Sequence, residues 1–319
     1  MAGLLIAAAV VVTACAAPHL IRLESSPPRV AAAIWLSGLL LRALMTVVVI
    51  AYAVIVAPGT GVVHAVSHWC WHTVLPLLAA HLGLDGHSMA DAAILFPALV
   101  LTLSALSVAW GVHRAARRVG RLLAGGLGPG PSDSLIITDG AVVVAAAGLR
   151  RPRVIVSAGA LTVLDDAELY ASLDHERGHI IHRHRWILMA GELSRALGRF
   201  VPGSRTALAE LTFHLEREAD RFALARSHRP RDLASAICKA AHGGQWTTAP
   251  AAGLAGASVV RRVSQLLGEE ASSPASAVAR PLAAVLAALV LMVFAAVPPA
   301  TMAAVKSSGD VPPAAACPH

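Results

Sequence analysis

Four stretches of the chain run without acidic or basic side chains, one arginine apart, over the roughly 20 residues that a helix needs to cross a bilayer. They are Ala2 to Ile21, Val30 to about Pro58 with Arg42 inside it, Ala92 to Val112, and Pro281 to Val305. Only a helix or a closed barrel satisfies its backbone polar groups away from water, so each stretch predicts a spanning helix. Between the third and the fourth the pattern changes. Residues 113–280 carry ordinary charge and are long enough for one globular domain. The predicted fold is an α-helical membrane bundle of about four transmembrane helices with an inserted α+β domain. Its parts are three spans in 1–112 with an external loop at 59–90, a soluble domain at 113–280, and a fourth span with a short tail in 281–319.

Inside the soluble block, the Gly/Pro-rich linker Gly125 to Asp133 leads to the short runs SLIITD, AVVVAAAG and RVIVSAGAL. Asp139-Gly140 and the LRRP tract separate them as turn signals of the hairpin kind, so a small sheet of about three strands is expected. The next segment, LDDAELYASLDHERGHIIHRHRW, opens with Asp165 followed three residues later by Glu168. That pairing is a capping box with Asp in the hydroxyl position, and it predicts one long helix through Trp186. A second helix is expected over Ala207 to Ser227.

Composition agrees with a membrane protein. Of 319 residues, 56% are hydrophobic and 14% charged, and the mean hydropathy is +0.65. The net charge of +7 could suggest nucleic acid. The arginines, however, mostly flank apolar runs rather than forming a basic arm with interleaved aromatics, so no direct nucleic-acid binding is expected. Cytoplasmic flanks are enriched in Arg and Lys. Arg22 and Arg29 follow the first stretch, and Arg114, Arg117, Arg118 and Arg121 follow the third, whereas Gly59 to Met89 has neither residue type. One arrangement satisfies all of this: a multi-pass protein of the cytoplasmic membrane with both termini outside and the soluble domain in the cytoplasm.

Some segments admit rival readings. VTAC at Val12 to Cys15 resembles a lipoprotein cleavage box, but no basic residue precedes it as a secretory signal requires, and the first span is expected to stay. Val62 to Leu84 is uncharged, yet counting it as a span would put the four-arginine block outside; an interfacial or re-entrant helix is expected there. Arg42 is open between a gating or site-facing charge and one that snorkels or pairs within the bundle. Cys15, Cys70, Cys238 and Cys317 are too scattered for a CxxC motif. Unpaired thiols are expected, with a Cys70–Cys317 disulfide on the outer face as the alternative. His64, His68 and His72 have a spacing able to hold a metal or simply to line an amphipathic helix.

The chemistry sits at His175, Glu176 and His179, an H-E-x-x-H. Histidines four apart on a helix lie about 40° apart around the axis and about 6 Å along it, so both can bind one zinc ion. Glu176, beside the metal rather than on it, is placed to act as general base toward water. The motif needs a third ligand, and the second helix offers Glu216 and Asp220 one turn apart on one face. Two histidines and a glutamate leave one open position, the arrangement of a catalytic rather than a structural zinc site. Asp220 would then accept a hydrogen bond from the far nitrogen of a ligand histidine and fix its tautomer. Glu218 competes as third ligand but points about 200° away from Glu216. His182 could extend the site or lie outside it, and His214 and Arg221 are candidate oxyanion donors.

Taken together, the amino-terminal spans, RPRVIVSAGALTVLDDAEL, LDHERGH, LEREAD and the SVVRRVSQLLG before the last span resemble the BlaR/MecR-type membrane metallopeptidases, the antirepressor peptidases of β-lactam response. HtpX-type and CAAX-prenyl proteases share the zinc pattern more distantly. The resemblance implies a minimal gluzincin domain in which His175, His179 and Glu216 ligate Zn2+ and Glu176 is the catalytic base. It implies a zinc metalloendopeptidase that cleaves a cytosolic regulator, such as a BlaI-like repressor, or itself. An HtpX-like quality-control protease and a non-proteolytic sensor or scaffold with a structural zinc are the alternatives. A substrate peptide would add to an edge strand, for which Arg153 to Ser157 is the candidate. Sensor members carry an extracellular penicillin-binding domain after the fourth span, whereas this chain ends at His319, so direct antibiotic sensing is not expected. Asp174 and the basic HRHR tract also depart from the family pattern without removing a catalytic group.

Overall fold

The computed structural model describes residues 15–20, 23–55, 86–124, 126–148, 151–242, 252–268, 279–292 and 295. The histidine triplet, Cys70, Cys317, the stretch Val62 to Leu84 and the outer end of the fourth apolar stretch lie outside the described residues. Helix α1 spans Pro28–Ile55 and α2 spans Gly86–Ala124. By length and composition each holds a segment able to cross a membrane, Pro28–Ala51 with mean hydropathy 2.2 and Leu99–Arg121 with 1.3. Among the described residues these are the two that qualify, where the sequence pattern predicts about four. Residues 15–20 of the first stretch are helical, and the fourth contributes the shorter apolar helix Ala279–Met292. The helix α2 runs unbroken through position 112, where the sequence pattern puts a boundary, and carries the four arginines into its last turns.

The two long helices have different surroundings. Along α2, Leu99, Leu103, Leu106 and Trp110 are exposed at helical spacing, an apolar stripe without cover among the described residues. On α1, by contrast, Ile34, Trp35, Leu39 and Leu41 are buried in one core together with Ala207, Leu211, Leu215 and Leu286. The more apolar of these two helices is thus a pillar for the helix that carries residues 207–215.

Four strands form one sheet: β1 (Gly128–Pro129), β2 (Leu135–Ile137), β3 (Val144–Ala147) and β4 (Arg153–Ser157), in the order β1-β2-β4-β3. Two sequence expectations are corrected here. Asp139-Gly140 does not close a hairpin: β2 pairs parallel with β4, with Ile136 opposite Val156, and the chain crosses the end of β4 to reach β3. Ser157 holds that crossing, its hydroxyl accepting from the Val143 amide at 3.0 Å and donating to the Ala141 carbonyl at 2.5 Å. The strand β4 is also no edge. It lies between β2 and β3, and Val154 through Ser157 are all buried, as a strand covered on both faces requires. The edge strands are β1 and β3, the latter antiparallel to β4 with Ala146 opposite Val154.

A short helix α3 (Ala158–Val163) precedes the motif helix α4 (Asp166–Ile181). The expected capping box is present, Asp165 accepting from the Glu168 amide and Glu168 from the Asp165 amide, each at 2.9 Å. The expected single helix through Trp186, however, ends at Ile181. His182 caps it, Arg183 adopts a left-handed φ of 54°, and a new helix α5 (His184–Leu197) departs. Then come α6 (Ser204–Leu224), α7 (Pro230–His242), α8 (Ala252–Leu266) and α9 (Ala279–Met292).

Candidate metal centre

Two helices make the site, and a glycine lets them approach. A Cβ on Gly178 of α4 would stand 3.1 Å from the Ala219 Cα and 3.1 Å from the Phe222 Cβ of α6. The close crossing puts the H-E-x-x-H face of α4 against the E-x-x-x-D face of α6. There the Nε2 atoms of His175 and His179 are 3.2 Å apart, and the Glu216 carboxylate lies 3.5 Å from each of them. Ligands about 2.1 Å from a common zinc ion at tetrahedral angles stand about 3.4 Å from one another. The three side chains therefore fit a zinc ion in both donor type and spacing, and among the described residues they form the cluster able to hold a metal.

The surrounding groups set charge and orientation. Asp220 places Oδ1 2.9 Å from His175 Nδ1, the ring nitrogen turned away from the cluster. Burial pushes the His175 imidazole down, but Asp220 and Glu216 outweigh it and hold it up at about 10. His179 is driven by burial to about 4. Its Nδ1 is 2.9 Å from Nδ1 of His184, a fully buried residue whose Nε2 lies 3.4 Å from Glu218. Glu218 in turn pairs with Arg29 at the start of α1. Both ring nitrogens that face away from the cluster are thus held, one by a carboxylate and one by a second imidazole.

The half-buried carboxylate of Glu176 accepts the backbone N–H of Ala146, on edge strand β3, at 2.7 Å. Burial raises its pKa, opposed by His175 and by that amide. Burial would raise Glu216 and Asp220 as well, yet both are held below their ordinary range, first of all by Arg262 of α8. Arg262 reaches Glu216 at 2.7 Å and spans both Asp220 oxygens at 2.6 and 3.1 Å.

The residues expected as accessories are placed as follows. Glu218 is turned from the cluster toward Arg29 and His184. His182 lies against Arg29 and the Phe222 ring rather than beside His175. His214 is fully buried, but its partner is Arg217 at 3.2 Å, and burial lowers it to about 3. Arg221 is exposed. Neither has a contact with the cluster among those described, so the oxyanion-donor assignment gains nothing from the geometry. Asp174, with its carboxylate on His228 at 2.8 Å and Arg177 at 3.1 Å, ties α4 to the segment after α6.

Sequence reasoning missed Arg262 and His184. An Arg-Arg pair on an amphipathic helix ordinarily reads as a solvated face, and only the fold reveals that Arg261 turns to Glu24 and Glu210 while Arg262 turns inward. His184 was hidden inside a tract expected to continue one helix.

Residues 136–201 match the profile of Peptidase family M48. The matched stretch begins within β2, contains β3, β4, α3, α4 and α5, and ends before α6. No curated protein and no solved structure matches the chain.

Proposed function

We propose that this protein is an integral membrane zinc metalloendopeptidase with its centre on the cytoplasmic side. The observation that carries the proposal is the convergence of His175, His179 and Glu216 at tetrahedral-ligand spacing, with Glu176 beside them on the same helix. The similarity of residues 136–201 to Peptidase family M48 supports it. A zinc ion in such a site supplies Lewis acidity, lowering the pKa of water and polarising a carbonyl. His175, His179 and Glu216 hold it, and Asp220 and His184 fix the orientation of the two imidazoles. Glu176 takes the proton of the attacking water and returns it to the leaving amine; its raised pKa brings it nearer the operating pH, where a general base works best.

The peptide would lie along β3 rather than β4. The Ala146 amide points away from β4 and toward the motif helix, so the free side of β3 adjoins the metal cluster. An extended peptide paired there presents its scissile carbonyl beside Glu176. The substrate class is a protein segment that can become extended, a BlaI-like repressor or the chain itself. An HtpX-like role in membrane-protein quality control is the second reading, favoured by the family matched over 136–201.

The exposed apolar stripe of α2 and the hydropathy of α1 support membrane residence. Arg29 is linked to the metal cluster through Glu218 and His184, which is consistent with the start of α1 lying at the level of the site. The test is Glu176→Gln in the full chain. Peptide hydrolysis should fall at least about 100-fold, with zinc content by elemental analysis unchanged. Retained cleavage would sink the enzymatic assignment, and lost zinc would mean that Glu176 is a ligand instead. Comparing proteomes with and without the variant then identifies the fragment that disappears.

A further inference from the structure

A cavity of about 970 Å3 lies between the helical segment 15–20, α1, α2 and the turn joining α5 to α6. Such a volume is at the upper end of what small-molecule sites enclose. Leu20, Met45, Val49, Phe96 and Phe200 make its wall apolar, and in that wall sits one cation, Arg42. Its side chain is only 2% exposed. Nη1 donates to the Gly38 carbonyl at 3.0 Å and Nη2 to the Cys15 carbonyl at 2.6 Å, with His19 Nε2 at 2.9 Å from the same Nη2. None of these partners carries a negative charge, and the Arg42 Nε–H is buried with no partner among the described residues. A guanidinium always carries its charge, and burying it without a counter-charge is strongly unfavourable until an anion completes the site.

We propose that this cavity binds an amphipathic anion of the bilayer, an acyl chain with a carboxylate or phosphate head. The head pairs with Arg42, and the chain lies against Leu20, Val49, Phe96 and Phe200. The two rival readings of Arg42 meet here: it faces the bundle interior and is held there by neutral groups that leave its charge free for a ligand. The site is separate from the metal cluster but touches the element that carries Glu216. Phe200, Val201 and Gly203 of the cavity wall form the turn into α6. Gly203 has φ +82°, and a Cβ there would stand 3.0 Å from His19 Nε2. An anion drawn onto Arg42 therefore lies against the turn from which the third metal ligand's helix departs.

The proposal rests on membrane residence, and its experiment separates the two. The full chain, purified in a neutral detergent, is titrated with oleate, dioleoyl phosphatidic acid, dioleoyl phosphatidylcholine and inorganic phosphate, and binding is read by native mass spectrometry and thermal shift. One oleate or phosphatidic acid per chain is expected, and the stronger of the two identifies the head group. Phosphatidylcholine and inorganic phosphate should bind at least tenfold more weakly. Arg42→Gln should weaken the anion at least tenfold, as should Ala16→Trp, which fills the cavity and leaves the cation in place. Should Arg42→Gln not fold, Ala16→Trp decides. Equal binding of phosphatidylcholine, or anion binding untouched by the folded variants, overturns the proposal. Alkaline carbonate extraction of the membranes reads residence independently: a chain that stays in the pellet yet binds no anion sinks this proposal alone.

Discussion

Arg262 neutralises the buried carboxylate of Asp220 and the partly exposed one of Glu216, which would otherwise repel each other across the site, and a metal ion beside Glu216 would do part of the same work. Arg262→Gln should therefore destabilise the chelator-treated protein by about 3 kcal/mol, the usual cost of removing one partner from a buried pair. Zinc should restore part of the loss. Thermal unfolding of wild type and variant, each with and without chelator, checks this, and an equal drop in both states would contradict it. The groups behind the imidazoles predict a different readout. Asp220→Asn and His184→Ala should each weaken zinc about 10- to 100-fold in a competition titration against a chromophoric chelator. The motif itself, and Glu216 and Asp220 as the groups that meet it, were legible in the chain because helical spacing alone places those side chains on common faces. Arg262 and His184 were not, because nothing local distinguishes a buried cation or imidazole from a solvated one.

At the scale of elements, α4 is fixed at both ends. Its first turn carries Glu168, a buried side chain whose Oε2 accepts from the Asp165 amide and from Lys239 Nζ at 2.6 Å, while Oε1 accepts from Ser235 at 2.6 Å. The capping box thus doubles as the tie to α7. Burial opposes the charge on Glu168, but Lys239, Ser235 and the cap amide win and lower its pKa. A carboxylate depressed on folding contributes stability that is fully present above its unfolded pKa of about 4.3 and is lost as pH falls through the lower folded value. Denaturant midpoints should accordingly decline from about pH 5 downward, and Glu168→Gln should lower the midpoint at pH 7 while flattening that decline. An unchanged acid slope in the variant would exclude Glu168 as a contributor. The capping box was readable from two residues. The helix end at Ile181 was not, since His182 to Arg185 break no propensity rule, and it is the inward turn of His184 onto His179 that draws the chain away. The sheet order was hidden likewise: a turn signal at Asp139-Gly140 shows that the chain bends, and only the pin at Ser157 decides where it goes.

For the whole molecule, the division into spans and soluble domain read from charge content describes composition better than packing. Ile34, Leu39 and Leu41 of α1 cover Ala207, Leu211 and Leu215 of α6. Expressed alone, residues 113–280 should fail to give a soluble, zinc-loaded fragment, because that face of α6 would be bare. Circular dichroism and elemental analysis of the fragment test it, and a folded fragment with one zinc per chain would show that α1 is dispensable. Hydropathy could not reveal this, since lipid and a protein core select the same side chains.

If the proposed hydrolysis is its work, that sharing bears on how the protein is kept harmless. A nascent chain still at the ribosome has its sixth helix unshielded until the greasy pillar finds its place, so competence to cut would arrive together with insertion and not before. Safety during synthesis would then need no pro-segment; it would be a by-product of one helix serving two solvents.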